Sequence, residues 1–183
     1  MNDIKIQKKA IREKVKQLML NISENERFIK SKLIFDKVES DSKFKNAYNI
    51  LIYWPLKGEV DTRILIEKWM FRKTFYLPVI ENETFYIKKF SGVNDLLKSK
   101  CGLDFFEPDG DVITDFSSID IVIVPGIAFD KNYFRMGRGK GYYDKFLSEI
   151  KVYKIGLCFD FQLFDNIPTE SHDIKMDIVY TNL

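Results

Sequence analysis

Residues 119–150 constrain the fold of this chain more than any other stretch. Ile121, Val122, Ile123 and Val124 form an unbroken β-branched run, ended by Pro125-Gly126. A short apolar run without polar alternation reads as a strand buried on both faces. It opens into a loop with Gly137, Gly139 and Gly141 at alternate positions and Arg135, Arg138 and Lys140 among them. An amphipathic helix follows, with Tyr143, Phe146, Leu147 and Ile150 on one face. A strand that feeds a cationic glycine loop and then a helix N-terminus is suited to holding phosphate. Glycine lets the backbone come close, the helix terminus offers unpaired N–H groups and partial positive charge, and the cationic side chains neutralise oxygens. The competing reading is a surface turn with solvated charges. It leaves unexplained three cations within six residues beside two tyrosines.

The spacing differs from two better-known phosphate loops. A P-loop needs a hydroxyl residue soon after its lysine, whereas Gly141-Tyr142 follows Lys140. A dinucleotide fingerprint needs a third glycine where this chain has Tyr142.

A second apolar run at 48–54 (YNILIYW) predicts another buried strand, stopped by Pro55. Helices are expected over 3–20, from a capping box at Ser23-Glu24-Asn25-Glu26 to Val38, and after Asp61 as N-cap. Strands are expected over 74–80 and 84–90, joined by the turn Glu81-Asn82-Glu83, and over 152–159 and 177–181. Residues 93–100 read as a short helix and Pro108-Asp109-Gly110 as a turn. Strands alternating with helices, two of them continuously apolar, imply a three-layer α/β/α sandwich of Rossmann type around a mostly parallel or mixed sheet. No linker or repeat interrupts the pattern, so the expectation is a single domain over 1–183. In such sheets ligands sit beyond the carboxyl ends of strands.

Composition narrows the partners. With 29 basic and 27 acidic residues the net charge is +2, which gives no general attraction to nucleic acid. No apolar run approaches a membrane span, and the first residues lack the apolar core of a secretion signal. Cys101 and Cys158 have no metal or redox spacing, so plain thiols and a cytoplasmic location are expected.

Other candidate chemistry is scattered. Trp54 and Glu59 follow the strand at 48–54, and an aromatic ring with a carboxylate could hold a flat heterocycle. A strand end packed by Trp54 with Glu59 in solvent is the plainer alternative. Asp144, just past the glycine loop, and Asp177 are candidates for Mg²⁺, which is usually held by one or two carboxylates plus phosphates. Lys8 and Arg12 are four residues apart, hence on one face of the first helix. His172, the single histidine, has no adjacent nucleophile motif.

Taken together, VPGIAFD, RMGRGKGYYDKFL, KKAIR, PLKGEVDT, Glu107-Pro108 and HDIKMDIVYT resemble the signature of the 5-formyltetrahydrofolate cyclo-ligases. The pieces span nearly the whole chain, and the central block is the specific one. The resemblance implies a three-layer α/β/α fold and MgATP-dependent conversion of 5-formyltetrahydrofolate to 5,10-methenyltetrahydrofolate, with 5-formyltetrahydrofolate and ATP as small-molecule partners and a monomer expected. It further implies that Lys8, Arg12, Arg135, Met136, Gly137, Arg138, Gly139, Lys140, Gly141, Tyr142 and Tyr143 bind ATP. Trp54, Glu59, Arg138, Gly139, Lys140, Gly141 and Tyr142 would bind folate. Arg138, Lys140 and Tyr142 would serve catalysis, and Asp144 and Asp177 would ligate Mg²⁺. Two other classes stay open from the residues alone: a sugar-phosphate isomerase or acyl-CoA transferase of similar architecture, which would need no ATP, and a non-enzymatic phosphate- or RNA-binding module.

Overall fold

The computed structural model describes residues 2–81, 84–98 and 106–183. Three helices come first: α1 (Asn2–Asn21), α2 (Glu24–Ser40) and α3 (Ser42–Asn46). Strand β1 (Asn49–Leu51), helix α4 (Arg63–Trp69) and strands β2 (Thr74–Glu81) and β3 (Thr84–Lys89) follow. Short strands β4 (Leu96–Lys98), β5 (Phe106–Pro108) and β6 (Val112–Ile113) lead to β7 (Ile121–Pro125). The second half comprises β8 (Ala128–Asp130), β9 (Arg135–Met136), α5 (Tyr142–Glu149), β10 (Tyr153–Cys158), β11 (Leu163–Phe164) and β12 (Ile178–Thr181).

Seven strands form one sheet in the order β12-β10-β7-β1-β2-β3-β6. The pairs β12–β10, β10–β7, β7–β1 and β1–β2 are parallel, and β3 and β6 add an antiparallel edge. The apolar run at Ile121 behaves as a strand covered on both faces must. Ile121 and Ile123 face one core, with Ile34, Phe35 and Val38 of α2, Phe44 of α3, and Leu65 and Ile66 of α4. Val122 and Val124 face the other, with Phe146 and Leu147 of α5. All four are essentially inaccessible. This is the three-layer α/β/α arrangement.

Chain order reverses between β1 and β7. From β1 the chain proceeds to β2 on one side, and from β7 to β10 and β12 on the other. The crevice between the carboxyl ends of two such strands is where open α/β sheets bind ligands. Helix α1 lies across this end, burying Val15 and Met19 against Ile127.

Several elements differ from the sequence expectation, each for a visible reason. Strand β1 pairs only over Asn49–Leu51, although the buried run continues through Tyr53 and Ile52 N–H still donates to Tyr76. Asp61 does not cap α4. Thr62 occupies the N-cap, and the Asp61 carboxylate is taken by Arg63 at 2.6 Å and Arg27 at 3.1 Å. The segment expected as a helix from Val93 contains one 3₁₀ turn (Val93–Asp95) and then β4, which pairs antiparallel with β5. Cross-strand pairing there outweighs a weak local helical pattern. The rest of that expectation, Ser99 and Lys100, and Asn82 and Glu83 of the expected turn, lie outside the described residues, as does Cys101. At α2 the expected cap is present, with Ser23 Oγ accepting from Glu26 N–H at 3.2 Å.

Candidate active site

The loop after β7 is held from beneath by one buried carboxylate. Asp130 Oδ1 accepts from the N–H groups of Asn132 and Phe134, and Oδ2 accepts from Ile167 N–H. This anchors β8 and β9, and β9 delivers Arg135 and Met136 to the crevice, both buried. Beyond them the chain turns through Gly139 at φ +101° and Gly141 at φ +71°, backbone that side chains rarely adopt. Gly141 is the N-cap of α5 and supplies no side-chain cap. The first N–H groups of α5 are therefore not taken up by a capping side chain.

Arg135 runs inward. It donates to Asp144 at 2.8 Å and to the Pro125 carbonyl at 3.2 Å, and its guanidinium carbon lies 5.5 Å from the centre of the Tyr143 ring. Arg138 turns towards the loop after β1 and meets Glu59 Oε1 at 2.7 Å. The other Glu59 oxygen accepts from Leu56 N–H at 2.9 Å. Glu59 is buried, not solvated. From α1, Arg12 Nε donates to the Gly137 carbonyl at 2.9 Å. One turn earlier, Lys8 is buried between Asp173 at 2.6 Å and Glu170 at 2.9 Å. Burial alone would lower the Lys8 ammonium, but hydrogen bonds to Asp173 and Glu170 outweigh it and hold it above its ordinary value. Lys8 in turn keeps Glu170 below the usual carboxylate range.

Two cavities share the loop as a common wall. The first, about 600 Å³ including its open mouth, is lined by Ile80, Pro125, Gly126, Ile127, Tyr142 and Tyr143, with Glu59, Arg135 and Arg138 as polar groups. Apolar walls with a few convergent polar groups suit a flat organic ligand. The second, about 660 Å³, is lined by Lys8, Arg12, Met136, Gly139, Glu170, His172 and Asp173. Gly137, Lys140, Gly141 and Asp144 line both. The second cavity offers cations for phosphate oxygens and carboxylates for a hard metal ion. Lys140 is exposed on the wall that the two cavities share.

The sequence model of the 5-formyltetrahydrofolate cyclo-ligase family matches residues 4–182. The chain belongs to that family. It is 32% identical over 187 residues to the 5-formyltetrahydrofolate cyclo-ligase of Mus musculus, covering 94% of this chain and 92% of the mouse protein. The Escherichia coli K12 enzyme of that name is 32% identical over 144 residues, with 74% and 78% coverage. Among solved structures, the NMR structure of Aquifex aeolicus 5,10-methenyltetrahydrofolate synthetase superposes with a TM-score of 0.84 at 32% identity, over 96% of this chain and 89% of that one.

Of the residues that the cyclo-ligase resemblance points to, the structure gathers most. Lys8, Arg12, Glu59, Asp144 and the loop from Arg135 to Tyr143 line one cavity or the other. Two are elsewhere. Trp54 packs on the core beside Phe90, with ring centres 5.8 Å apart, and does not line the first cavity. Asp177 sits just before β12, accepting from Lys154 N–H at 2.7 Å and pairing with the Lys154 ammonium at 3.0 Å. That is the amino end of a parallel strand, opposite the crevice. Asp173, four residues earlier, lines the second cavity with Asp144, and Asp144 Oδ1 accepts from the next residue, Ile174, at 3.4 Å. The sequence held the signal that separates the two aspartates. Asp177 opens an apolar strand, and the amino ends of parallel strands face away from the ligand crevice.

Proposed function

We propose that this chain is one 5-formyltetrahydrofolate cyclo-ligase domain, closing the imidazoline ring of 5,10-methenyltetrahydrofolate with ATP and releasing ADP and phosphate. The observation that carries this reading is the pair of cavities meeting at Lys140 and Gly141: one apolar with a buried carboxylate, the other rich in both cations and carboxylates. A reaction that moves a phosphoryl group between two bound substrates needs such a junction. The family match over residues 4–182 supports the substrate pair and the single domain.

In this reading the folate ring occupies the first cavity. Glu59 accepts hydrogen bonds from ring N–H groups, and Ile80, Ile127 and Tyr142 cover its faces. ATP occupies the second, its phosphates meeting Lys8, Arg12, the loop N–H groups and the start of α5. The formyl oxygen attacks the γ-phosphorus, and ADP leaves. N10 then attacks the activated carbon and loses its proton, and phosphate departs as the ring closes. Phosphorylation converts a poor leaving oxygen into a good one. The protein's part is charge neutralisation and alignment, for which Lys140 on the shared wall and Arg138 in the first cavity supply positive charge.

Among the described residues no three His, Cys, Asp or Glu side chains converge as a metal cage. Mg²⁺ needs none, being held by one or two carboxylates together with substrate phosphates. Asp144 and Asp173 fit that donor set, and the ion would neutralise charge on the transferring phosphate. The test is to incubate the protein with 5-formyltetrahydrofolate, ATP and Mg²⁺ and follow the methenyl absorbance. Product that requires ATP, with ADP formed in equal amount, is expected. Product without nucleotide, or release of AMP, contradicts the mechanism.

A further inference from the structure

The wall of the first cavity at Gly126 and Ile127 falls in a gap between two sheets. Pairing of β7 with β10 ends at Pro125 opposite Leu157, and the small sheet of β8, β9 and β11 begins only at Ala128. The carbonyls of Gly126 and Ile127 have no strand partner there, and one side chain takes its place. Gln162 ends the 3₁₀ turn Asp160–Gln162, just before β11, and is 2% exposed. Its Nε2 donates to the Gly126 carbonyl at 3.0 Å and to the Ile127 carbonyl at 3.1 Å. Its Oε1 accepts from Phe159 N–H at 2.9 Å. Turned the other way, the amide would set its oxygen against two carbonyl oxygens and its NH₂ against an N–H, so these partners allow one orientation. The Pro125 carbonyl is taken by Arg135. Three successive carbonyls at the carboxyl end of β7 are thus held by side chains. From the other side, Ile127 N–H donates to the Met136 carbonyl at 2.8 Å. Gly126 and Ile127 line the first cavity and not the second, and Gln162 lines neither.

We propose that Gln162 is a positioning residue for the folate side of the site, holding the Gly126 and Ile127 carbonyls so that Ile127 stands as a fixed wall for the substrate. The inference rests on the folate reading of the first cavity. Without the two donors the wall spends part of its time out of place, and apparent affinity falls by the fraction of chains in which it is in place. Ile127 also packs on Val15 and Met19 of α1. Lys8 and Arg12 on that helix have anchors of their own at Glu170, Asp173 and the Gly137 carbonyl, so the second cavity keeps its shape.

Gln162→Met keeps the length of the side chain and removes all three hydrogen bonds. The 5-formyltetrahydrofolate KM should rise roughly 5- to 30-fold, with kcat and the ATP KM within about threefold of wild type. Lys73→Met controls for general loosening of the fold. Lys73 donates to the carbonyls of Phe44, Lys45 and Ala47, just ahead of β1 and β2 at the far end of the sheet. Its loss should lower the melting temperature and leave the folate KM within about twofold of wild type. An unchanged folate KM in folded Gln162→Met would overturn the proposal. So would a loss confined to kcat, an equal rise in the ATP KM, or an equal rise of the folate KM in Lys73→Met. If Gln162→Met does not fold, Gln162→Glu carries the same test. It keeps the acceptor for Phe159 N–H and offers at most one donor to the two carbonyls, so a raised folate KM is expected and an unchanged one overturns the proposal. A wild type that gives no methenyl product would sink the folate reading, whereas product from the wild type with an unchanged folate KM in the variant sinks this inference alone.

Discussion

The Glu59–Arg138 pair gives the sharpest separation between folding and recognition. Glu59→Gln keeps an oxygen to accept from Leu56 N–H, now at 2.9 Å, and removes the charge facing Arg138, now at 2.7 Å. The Arg138 side chain is 43% exposed, so loss of this ion pair is screened by water and costs at most about 1 kcal/mol of stability. For a chain of this length that lowers the melting temperature by roughly 2–4 °C. Recognition should suffer more. A hydrogen bond to a charged group contributes about 1.5–3 kcal/mol, so folate affinity should fall roughly 10- to 150-fold. ATP, which the proposed arrangement places against Lys8, Arg12 and the α5 terminus, should bind within about twofold of wild type. Calorimetric titration of each ligand separately reads both numbers. Glu59→Ala, which also strips the acceptor from Leu56 N–H, should cost about 1–3 kcal/mol more in stability. Unchanged folate affinity in Glu59→Gln, or equal loss for the two ligands, would refute the assignment of Glu59 to the folate ring.

Five further substitutions probe the rest of the site and its scaffold. Asp144→Asn and Asp173→Asn should each raise the Mg²⁺ concentration needed for half-maximal turnover, whereas Asp177→Asn should leave it unchanged; a Mg²⁺ titration of the reaction in all three compares them directly. Lys140→Ala should lower turnover roughly 10- to 100-fold with little change in melting temperature, as expected for a charge-assisted contact that strengthens during phosphoryl transfer, and wild-type kinetics would mean that Lys140 faces solvent throughout. Gly156→Ala tests the scaffold. A Cβ there would lie 2.5 Å from the Phe129 ring, which is fully buried. Overpacking should cost about 1–3 kcal/mol, seen as a lower midpoint in urea with an unchanged slope.

Much of this fold is legible in the sequence because burial on both faces leaves a strong mark. The runs at Ile121 and Ile50 can belong only to central strands, and the position of the glycine loop after one of them locates the crevice. The cationic loop is legible for the same reason, since its glycines and charges are local in sequence. What escapes depends on pairing between distant segments. Strand β4 exists because β5 lies beside it, and no local pattern reports that. Asp61 reads as a cap, but two arginines compete for its carboxylate. Trp54 follows a strand, and its neighbour Phe90, 36 residues away, is equally invisible in the local pattern. Glu170 and Asp173 carry no local signal because their partner, Lys8, is more than 160 residues away.

In the proposed mechanism the formyl oxygen becomes a phosphate oxygen at the junction between the two cavities. The most direct measurement is to supply 5-formyltetrahydrofolate carrying ¹⁸O in the formyl group, with unlabelled ATP and Mg²⁺, and to weigh the products by mass spectrometry. Attack by the formyl oxygen on the γ-phosphorus predicts one ¹⁸O atom in each inorganic phosphate released, none in ADP, and one phosphate per methenyl product. Unlabelled phosphate with the label lost to water would mean that ring closure and ATP hydrolysis do not share a phosphorylated intermediate.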